Sequence, residues 1–311
     1  MAGALVMREG RVLLSRRGPD ALGGVGRWAY PGGFVELGET PEETALRETN
    51  EEVGLDNVRL TGVVGLPVAS TAPSHVVIAY RAEADGDPYP GDDTTEVRWF
   101  ELDEIPWDEL AFPTTVETLR SLVRGTAGLA LEPQHPMPAA EATVLDPFCV
   151  ACAAPTKAAS SDLPHGVCTS SECGTHRWRN PAVGTSAFLV REGRVLLARR
   201  AATMSRGGGQ WTGPGGHLEH GETPEGALER ELAEEVGVRA SVIGLNGVHA
   251  LRDPSVVFFS YIATTEDEPR ALDETTEVRW FGRDEIPWPE VFLDSREPLR
   301  MLLRSDALER N

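Results

Sequence analysis

The stretch GFVELGETPEETALRETNEEVGL (residues 33–55) returns 183 residues later as GHLEHGETPEGALERELAEEVGV (residues 216–238). Each copy reads as a glycine-rich turn followed by a helix of about 13 residues, starting at Pro41 and at Pro224. Thr40 suits the N-cap, Pro41 the first helical position, and Glu43 completes a capping box. Thr223 and Pro224 repeat these roles, but Gly226 replaces the glutamate and forfeits the reciprocal cap. Gly54 and Gly237 can end the helices in the left-handed conformation. Glu48, Glu51 and Glu52 are spaced i, i+3 and i+4, and Glu231, Glu234 and Glu235 match them. They share one helix face, and two of each set fall in the last turn, where the helix dipole disfavours negative charge. Arg47 can answer Glu51 at i+4, but one arginine does not neutralise the cluster. Acidic runs ordinarily mean a solvated face. A local rule broken twice, at equivalent places, points instead to a functional site. Hard oxygen ligands on one face suit Mg²⁺ or Mn²⁺.

The repetition extends outward. REGRVLLSRR (residues 8–17) recurs as REGRVLLARR (191–200), Trp28 pairs with Trp211, and PGG at 31–33 with PGG at 214–216. TTEVRWF (94–100) and DEIPW (103–107) recur at 275–281 and 284–288, now offset by 181. A period this long means a duplicated domain rather than a solenoid. The expected division is a first domain at 1–126, a Pro/Ala/Gly linker at 127–148, a cysteine-bearing segment at 149–181 and a second domain at 182–311. Each repeat reads as a strand (11–17; 194–200), the glycine turn and the acidic helix. Further strands follow near 58–64, 76–82 and 96–100, with 256–263 and 277–281 in the second copy. A last helix lies near 115–123 or 297–303. This is an α/β (α+β) pattern: a mixed sheet sandwiched by helices.

Composition sets the outer limits. The chain has 311 residues, 41% hydrophobic and 25% charged, which is ordinary globular usage. No apolar run reaches the roughly 18 residues of a membrane span, and the start lacks a signal-peptide layout. A soluble, cytoplasmic protein is expected. The formal net charge of −20 disfavours general binding to nucleic acid or anionic membrane. It does not exclude a small anionic substrate, because bound divalent cations reverse the local sign.

The order Gly33, five residues, Glu39, seven residues, then Arg47-Glu48-Thr49-Asn50-Glu51-Glu52-Val53-Gly54-Leu55 resembles the box of the Nudix hydrolase family. The second copy, from Gly216 through Glu222 to Val238, meets every specified position of that box. The first has Thr49 where an aliphatic residue is specified. The resemblance implies two Nudix-fold domains and hydrolysis of a phosphate anhydride in a nucleoside diphosphate linked to another group. ADP-ribose, dinucleotides and nucleoside triphosphates are the substrate classes. It implies Mg²⁺ or Mn²⁺ held by Glu48 and Glu52, and by Glu231 and Glu235, with the carbonyls of Gly33 and Gly216. Glu51 and Glu234 become further ligands or bases, and Arg47 and Arg230 orient the carboxylates. Glu39 and Glu222 fix the loop–helix geometry. Glu96 and Glu277 stand where some relatives supply a ligand or base from outside the box. Thr49 should pack its methyl and bond its hydroxyl to the preceding turn.

Other residues admit two readings. Trp28 and Trp211 could stack on a base or brace the PGG turn as core residues. Arg17 and Arg200 could contact phosphate or lie on the surface. Cys149-x₂-Cys152 and Cys168-x₄-Cys173 have the spacing of a zinc ribbon, so a structural Zn²⁺ is expected. Free or redox thiols and disulfides are the alternatives, and His165 and His176 are nearby substitutes as ligands. The segment is similar to the ribbon that precedes the catalytic domain in NADH pyrophosphatases of the Nudix family. The downstream SQPWPFPxS motif of those enzymes is absent, so NADH specificity does not carry over. Residues 157–200 hold seven basic and three acidic side chains, which supports a nucleic-acid-binding ribbon as a rival. A nucleotide-binding regulator without turnover is the other rival; a sensor need not keep all six glutamates. A pseudo-dimer of the two copies within the chain and an oligomer of chains are both compatible with the duplication. Loops 63–74 (VVGLPVASTAPS) and 244–255 (GLNGVHALRDPS) differ strongly, so the two sites need not share a substrate.

Overall fold

The computed structural model describes residues 1–125 except 22, 37, 38 and 70–74, and residues 181–310 except 220 and 252–255. Between them it describes the backbone of four short strands. In the first repeat the strands are β1 (Ala2–Arg8), β2 (Arg11–Arg17), β3 (Trp28–Ala29) and β4 (Gly32–Gly33), then helix α1 (Pro41–Val53). Strands β5 (Val58–Gly65), β6 (Val68–Ala69), β7 (His75–Val76), β8 (Ile78–Ala84) and β9 (Thr94–Glu101) follow, then helix α2 (Pro113–Arg124). β1 runs parallel to β8, from Ala2 opposite Ile78 to Met7 opposite Glu83. At its far end it turns into an antiparallel hairpin with β2, while β4 pairs with its beginning. β5 borders β8, and β9 borders β2.

The β1–β2 turn places Glu9 at φ 51° and Gly10 at φ 83°, and the second repeat places Glu192 at 51° and Gly193 at 71°. Two consecutive left-handed residues match the twist of a two-residue hairpin. β1 is buried along almost its whole length. A central strand covered on both faces shows a hydrophobic run in place of polar alternation.

After α2, β10 (Leu129–Ala130) pairs antiparallel with β5. These two residues lie inside the stretch read as linker, and they add a strand to the sheet edge. β11 (Thr156–Ala158), β12 (His165–Cys168) and β13 (His176–Trp178) form a separate antiparallel sheet, with Thr156 opposite Cys168. Cys149, Cys152 and Cys173 lie outside the described residues, as does the side chain of Cys168.

The second repeat comprises β14 (Ala182–Arg191), β15 (Arg194–Arg200), β16 (Trp211–Thr212), β17 (Gly215–His217) and helix α3 (Pro224–Val236). It continues with β18 (Ser241–Leu251), β19 (Val256–Thr264), β20 (Thr275–Phe281), helix α4 (Leu293–Arg304) and α5 (Ala307–Arg310). The order β18-β19-β14-β15-β16, with β17 on β14 and β20 on β15, repeats the first sheet. The acidic helix packs on one face of each sheet. Helices α2 and α4 pack on the other, with Leu119 of α2 in one cluster with Trp28 and Phe100, and Leu299 of α4 in one with Trp211 and Phe281. β10 also lies beside β18, and apolar side chains of both repeats join one continuous cluster on the acidic-helix side.

α4 begins four residues before the expected position and tolerates Pro298 within it. Asn246, itself buried, donates to the Pro298 carbonyl at 2.9 Å. On the same strand His249 is 7% exposed and stacks on Phe258 at 5.0 Å. Its Nε2 has no partner among the described residues. Burial holds its pKa down at about 4. The folded pKa therefore lies below the unfolded value of about 6.5. Between these pH values the unfolded chain takes up a proton that the folded chain refuses, so stability falls as pH falls through that window. Replacing His249 with Leu should remove up to about 3 kcal/mol of the acid-side loss. Urea unfolding of both proteins at pH 7 and pH 4.5 measures it, and equal acid losses would contradict this account.

Candidate active site

Helix α1 carries the caps that its sequence demands. The Thr40 hydroxyl accepts from the Glu43 N–H at 3.1 Å, and the Glu43 carboxylate accepts from the Thr40 N–H at 2.8 Å. Thr223 caps α3 through the Gly226 N–H, without a return bond from residue 226. Thr49 is fully buried and its hydroxyl donates to the Ala45 carbonyl at 2.6 Å. The exposed end of α1 would leave carbonyls unpaired, but the loop before β9 covers them. Tyr89 N–H donates to Val53 O, and Gly91 N–H and the Thr94 hydroxyl both donate to Glu52 O. Arg270 and Leu272 N–H groups do the same for Val236 and Glu235.

Arg47 is the hub of the first site. Its guanidinium donates to both oxygens of Glu39 at 2.7 and 3.0 Å, to Glu48 at 2.8 Å, to Glu51 at 3.0 Å and to the Phe34 carbonyl at 3.3 Å. Arg230 repeats this with Glu222 at 2.8 and 2.9 Å, Glu231 at 2.8 Å, Glu234 at 3.2 Å and the His217 carbonyl at 3.0 Å. One side chain thus ties the loop to the helix and aims two carboxylates. Burial opposes ionisation of Glu39, yet donors from Arg47, Thr44 and the Glu36 N–H hold its pKa below the usual range. Hydrogen bonds from Arg230 hold Glu222 at about 2.

The glycines make room for the acids. A Cβ on Gly33 would stand 2.0 Å from Glu48 Oε1, and one on Gly216 would stand 2.4 Å from Glu231 Oε1. Glu52 is 6% exposed. Burial, then the charges of Glu48 and Asp93, push its pKa up to about 8, against the pull of Arg17 and the Gly32 N–H. Glu235 accepts from the Gly215 N–H at 2.8 Å, and burial raises it to about 7, with Glu231 and Glu274 adding to the rise.

Asp93 and Glu274 are functional candidates that sequence reasoning missed. They occupy equivalent places just before β9 and β20, and the repeat register could have exposed them as acids retained at offset 181. Arg17 bridges Asp93 at 3.6 Å and Glu52 at 3.9 Å. Glu96 and Glu277 do not join this group. The regular antiparallel register sets Glu96 opposite Arg16 and Glu277 opposite Arg199, and the ladder shifts only at the next pair. Glu96 pairs with Arg16 at 3.6 Å, and Arg16 reaches Glu109 and lies over Trp28, on the sheet face away from α1. Glu277 pairs with Arg199 in the same way at 3.6 Å. Trp28 and Trp211 are 3% and 4% exposed, each edge-on to a core phenylalanine with an arginine over the ring. No ring face is left for a base, so both are core residues rather than stacking platforms. Arg17 and Arg200 lie on the site side, where each acts on the buried glutamate of its repeat.

Glu48, Glu51, Glu52 and Asp93 outnumber Arg17 and Arg47, and the second site has the same imbalance. Oxygen donors in excess of their cations, two of them in the clefts left by glycines, suit a hard divalent ion. Among the described residues no three such groups are already gathered into a metal cage. Arg47 stands between Glu48 and Glu51, and Glu52 is turned to the Gly32 N–H.

The comparisons agree with this arrangement. The family pattern described as NUDIX domain matches residues 1–122 and 179–302. The chain belongs to the Nudix family, with two copies of its domain. It is 36% identical over 107 residues to a "MutT-like protein" of Streptomyces ambofaciens, covering 34% of this chain and 66% of that protein. It is 35% identical over 111 residues to an "ADP-ribose pyrophosphatase" of Methanocaldococcus jannaschii, covering 35% of this chain and 63% of the relative. It is 35% identical over 125 residues to the "NAD-capped RNA hydrolase NudC" of Chromobacterium violaceum, covering 39% and 43%. The chain thus spans less than two thirds of the length of each of these relatives. A Nudix hydrolase crystal structure from Nitrosomonas europaea matches at 32% identity and a TM-score of 0.45, covering 50% of this chain and 91% of that one. No helix among the described residues is long and apolar enough to cross a membrane.

The glycine clefts can be tested directly. Gly33→Ala with Gly216→Ala displaces only the flexible ends of Glu48 and Glu231, so the melting temperature should change little. Mn²⁺ affinity should fall by about 10-fold or more, as when groups supporting a metal ligand are removed. Calorimetric Mn²⁺ titration reads this, and unaltered affinity would remove these glycines from the site.

Proposed function

We propose that this chain is a tandem Nudix hydrolase that cleaves a phosphate anhydride in a nucleoside diphosphate joined to another group, using Mg²⁺ or Mn²⁺. The observation that carries the reading is the doubled arginine hub: in both repeats it aims two glutamates beside a third that is buried against the glycine turn. Glu48 and Glu52 with the Gly33 carbonyl, and Glu231 and Glu235 with the Gly216 carbonyl, would hold the ion. When bound, the ion shields the pyrophosphate, lowers the pKa of water and stabilises charge developing at phosphorus. Glu51 and Glu234 are the most exposed of each triad, at 42% and 53%, and are placed to accept a proton from the attacking water. Arg47 and Arg230 hold these carboxylates oriented by hydrogen bonds at 3.0 and 3.2 Å. Asp93 and Glu274 add negative charge at the buried ligand and so strengthen its demand for a cation. Relatives named for ADP-ribose and for NAD-capped RNA support a nucleoside linked through phosphates as the substrate class.

Both sites are read as competent, because each keeps every charged position of its box. Turnover of ADP-ribose, dinucleotides, sugar nucleotides and nucleoside triphosphates should require added metal and vanish with chelator. Glu52→Gln and Glu235→Gln should each remove part of the activity, with different substrates affected. The double variant should lose roughly 100-fold or more. Activity abolished by one single change and untouched by the other would leave one site as a decoy. No turnover of any substrate would favour a nucleotide-binding regulator.

The cysteine segment is read as a structural zinc ribbon. The antiparallel strands β11–β13 between and around the cysteine pairs support this reading. Four protein ligands leave no position for water, so its role is stability rather than chemistry. Protein prepared without a chelating tag should contain about one Zn²⁺ per chain. A folded preparation with four titratable thiols and no zinc would contradict it.

A further inference from the structure

Outside the box helix, the first repeat has a cleft of about 790 Å³ between helix α2 and the loop before it. Arg27, Arg120 and Arg124 line it, with Trp107, Phe112 and Glu117. Arg27 donates to the Asp108 and Leu110 carbonyls at 3.3 and 3.1 Å, which fixes its position without cancelling its charge. Arg120 lies over the Trp107 ring, 5.9 Å from its centroid. Among the described residues no carboxylate forms an ion pair with any of the three. In a chain of net charge −20, three guanidinium groups without a carboxylate partner are gathered around this one cleft.

The second repeat shows that the pattern is not a requirement of the fold. On the matching helix α4, Arg300 and Arg304 both pair with Glu297 at 3.5 Å. Gln210 stands where the first repeat has Arg27. The counterpart of Glu297 on α2 is Glu117, which lines the cleft but, among the described residues, forms no ion pair with Arg120 or Arg124.

We infer that this cleft of the first repeat is a second binding site for a small phosphate-bearing ligand of the size of a nucleoside diphosphate, separate from the carboxylate helix. Arg27, Arg120 and Arg124 supply charge-assisted hydrogen bonds to phosphate oxygens, and Trp107 keeps the Arg120 plane in place. The volume lies within the range of small-molecule sites. The acidic surface beyond the cleft repels a long polyanion, so a nucleotide fits better than a nucleic-acid strand.

The test is calorimetric titration of ADP into the full chain in EDTA, where the metal-free carboxylate helices repel the ligand. The wild-type protein should bind ADP, and Arg120→Gln with Arg124→Gln should weaken it by about 10-fold or more. Arg27→Gln installs the residue of the second repeat, keeps a donor for the loop carbonyls, and should weaken binding even if the double variant fails to fold. Metal-dependent turnover at saturating substrate should be retained by both. Absence of ADP binding in the wild type, or wild-type affinity in folded variants, would overturn the site. So would a single-stranded RNA oligonucleotide whose binding depends on these arginines while that of ADP does not.

Discussion

Each repeat is organised by the burial of one carboxylate, Glu52 or Glu235, at the end of a helix that is electrostatically wrong for it. The last turn of a helix presents carbonyls, and low-dielectric surroundings penalise the charge further. Several features of the fold answer that cost. The glycine turn offers an N–H to the buried oxygen, Arg17 or Arg200 approaches from β2 or β15, and the loop before β9 or β20 covers the helix end. These partners hold the group in place without restoring an ordinary pKa. The rigid parallel pairing of β1 with β8, and of β14 with β19, fixes the sheet on which all these elements converge.

Duplication kept this arrangement and released the rest. The hubs around Arg47 and Arg230 agree bond for bond, whereas the surroundings diverge. The capping box survives in α1 and is lost in α3. A buried histidine and a proline-bearing last helix occur in the second repeat, and an unpaired basic cleft occurs in the first. Constraint is concentrated where several charges depend on one another, because moving one leaves the others uncompensated. Elements that meet only apolar neighbours or solvent can change singly.

The same distinction governs what was legible in the sequence. The helix, its caps and its acidic face could be read because periodicity and end signals are local. The edge strands with alternating pattern were readable for the same reason. The interior strands β2, β8, β15 and β19 were readable as short apolar runs, whereas β1 and β14, equally apolar, were not distinguished. β18 was missed in a stretch whose composition resembles loop, with Gly244, Asn246 and Gly247 among its residues. The tryptophans had two readings because burial is a tertiary property, and only the packing of Phe100 and Phe281 resolves them.

The placing of the acids outside the box has the most specific cause. Side chains alternate along a strand, so pairing decides which face each one serves. In an uninterrupted ladder, the partner of Arg17 would be Thr95 and the alternation would continue unbroken. The register shift after Arg16 instead brings Thr94 opposite Arg17, and the extra residue on β9 is absorbed as a bulge. Glu96 stays with Arg16 on the far face, while Thr94 reaches the end of α1 and Asp93 comes beside the buried glutamate. The identical shift between Arg199 and Arg200 brings Thr275 opposite Arg200, while Glu277 stays opposite Arg199. A bulge carries no signature in the residues TTEVRWF, yet it sets which residue stands opposite Arg17 or Arg200, beside the buried glutamate. Its presence in both repeats is therefore evidence that the bulge belongs to the site, not merely to the sheet.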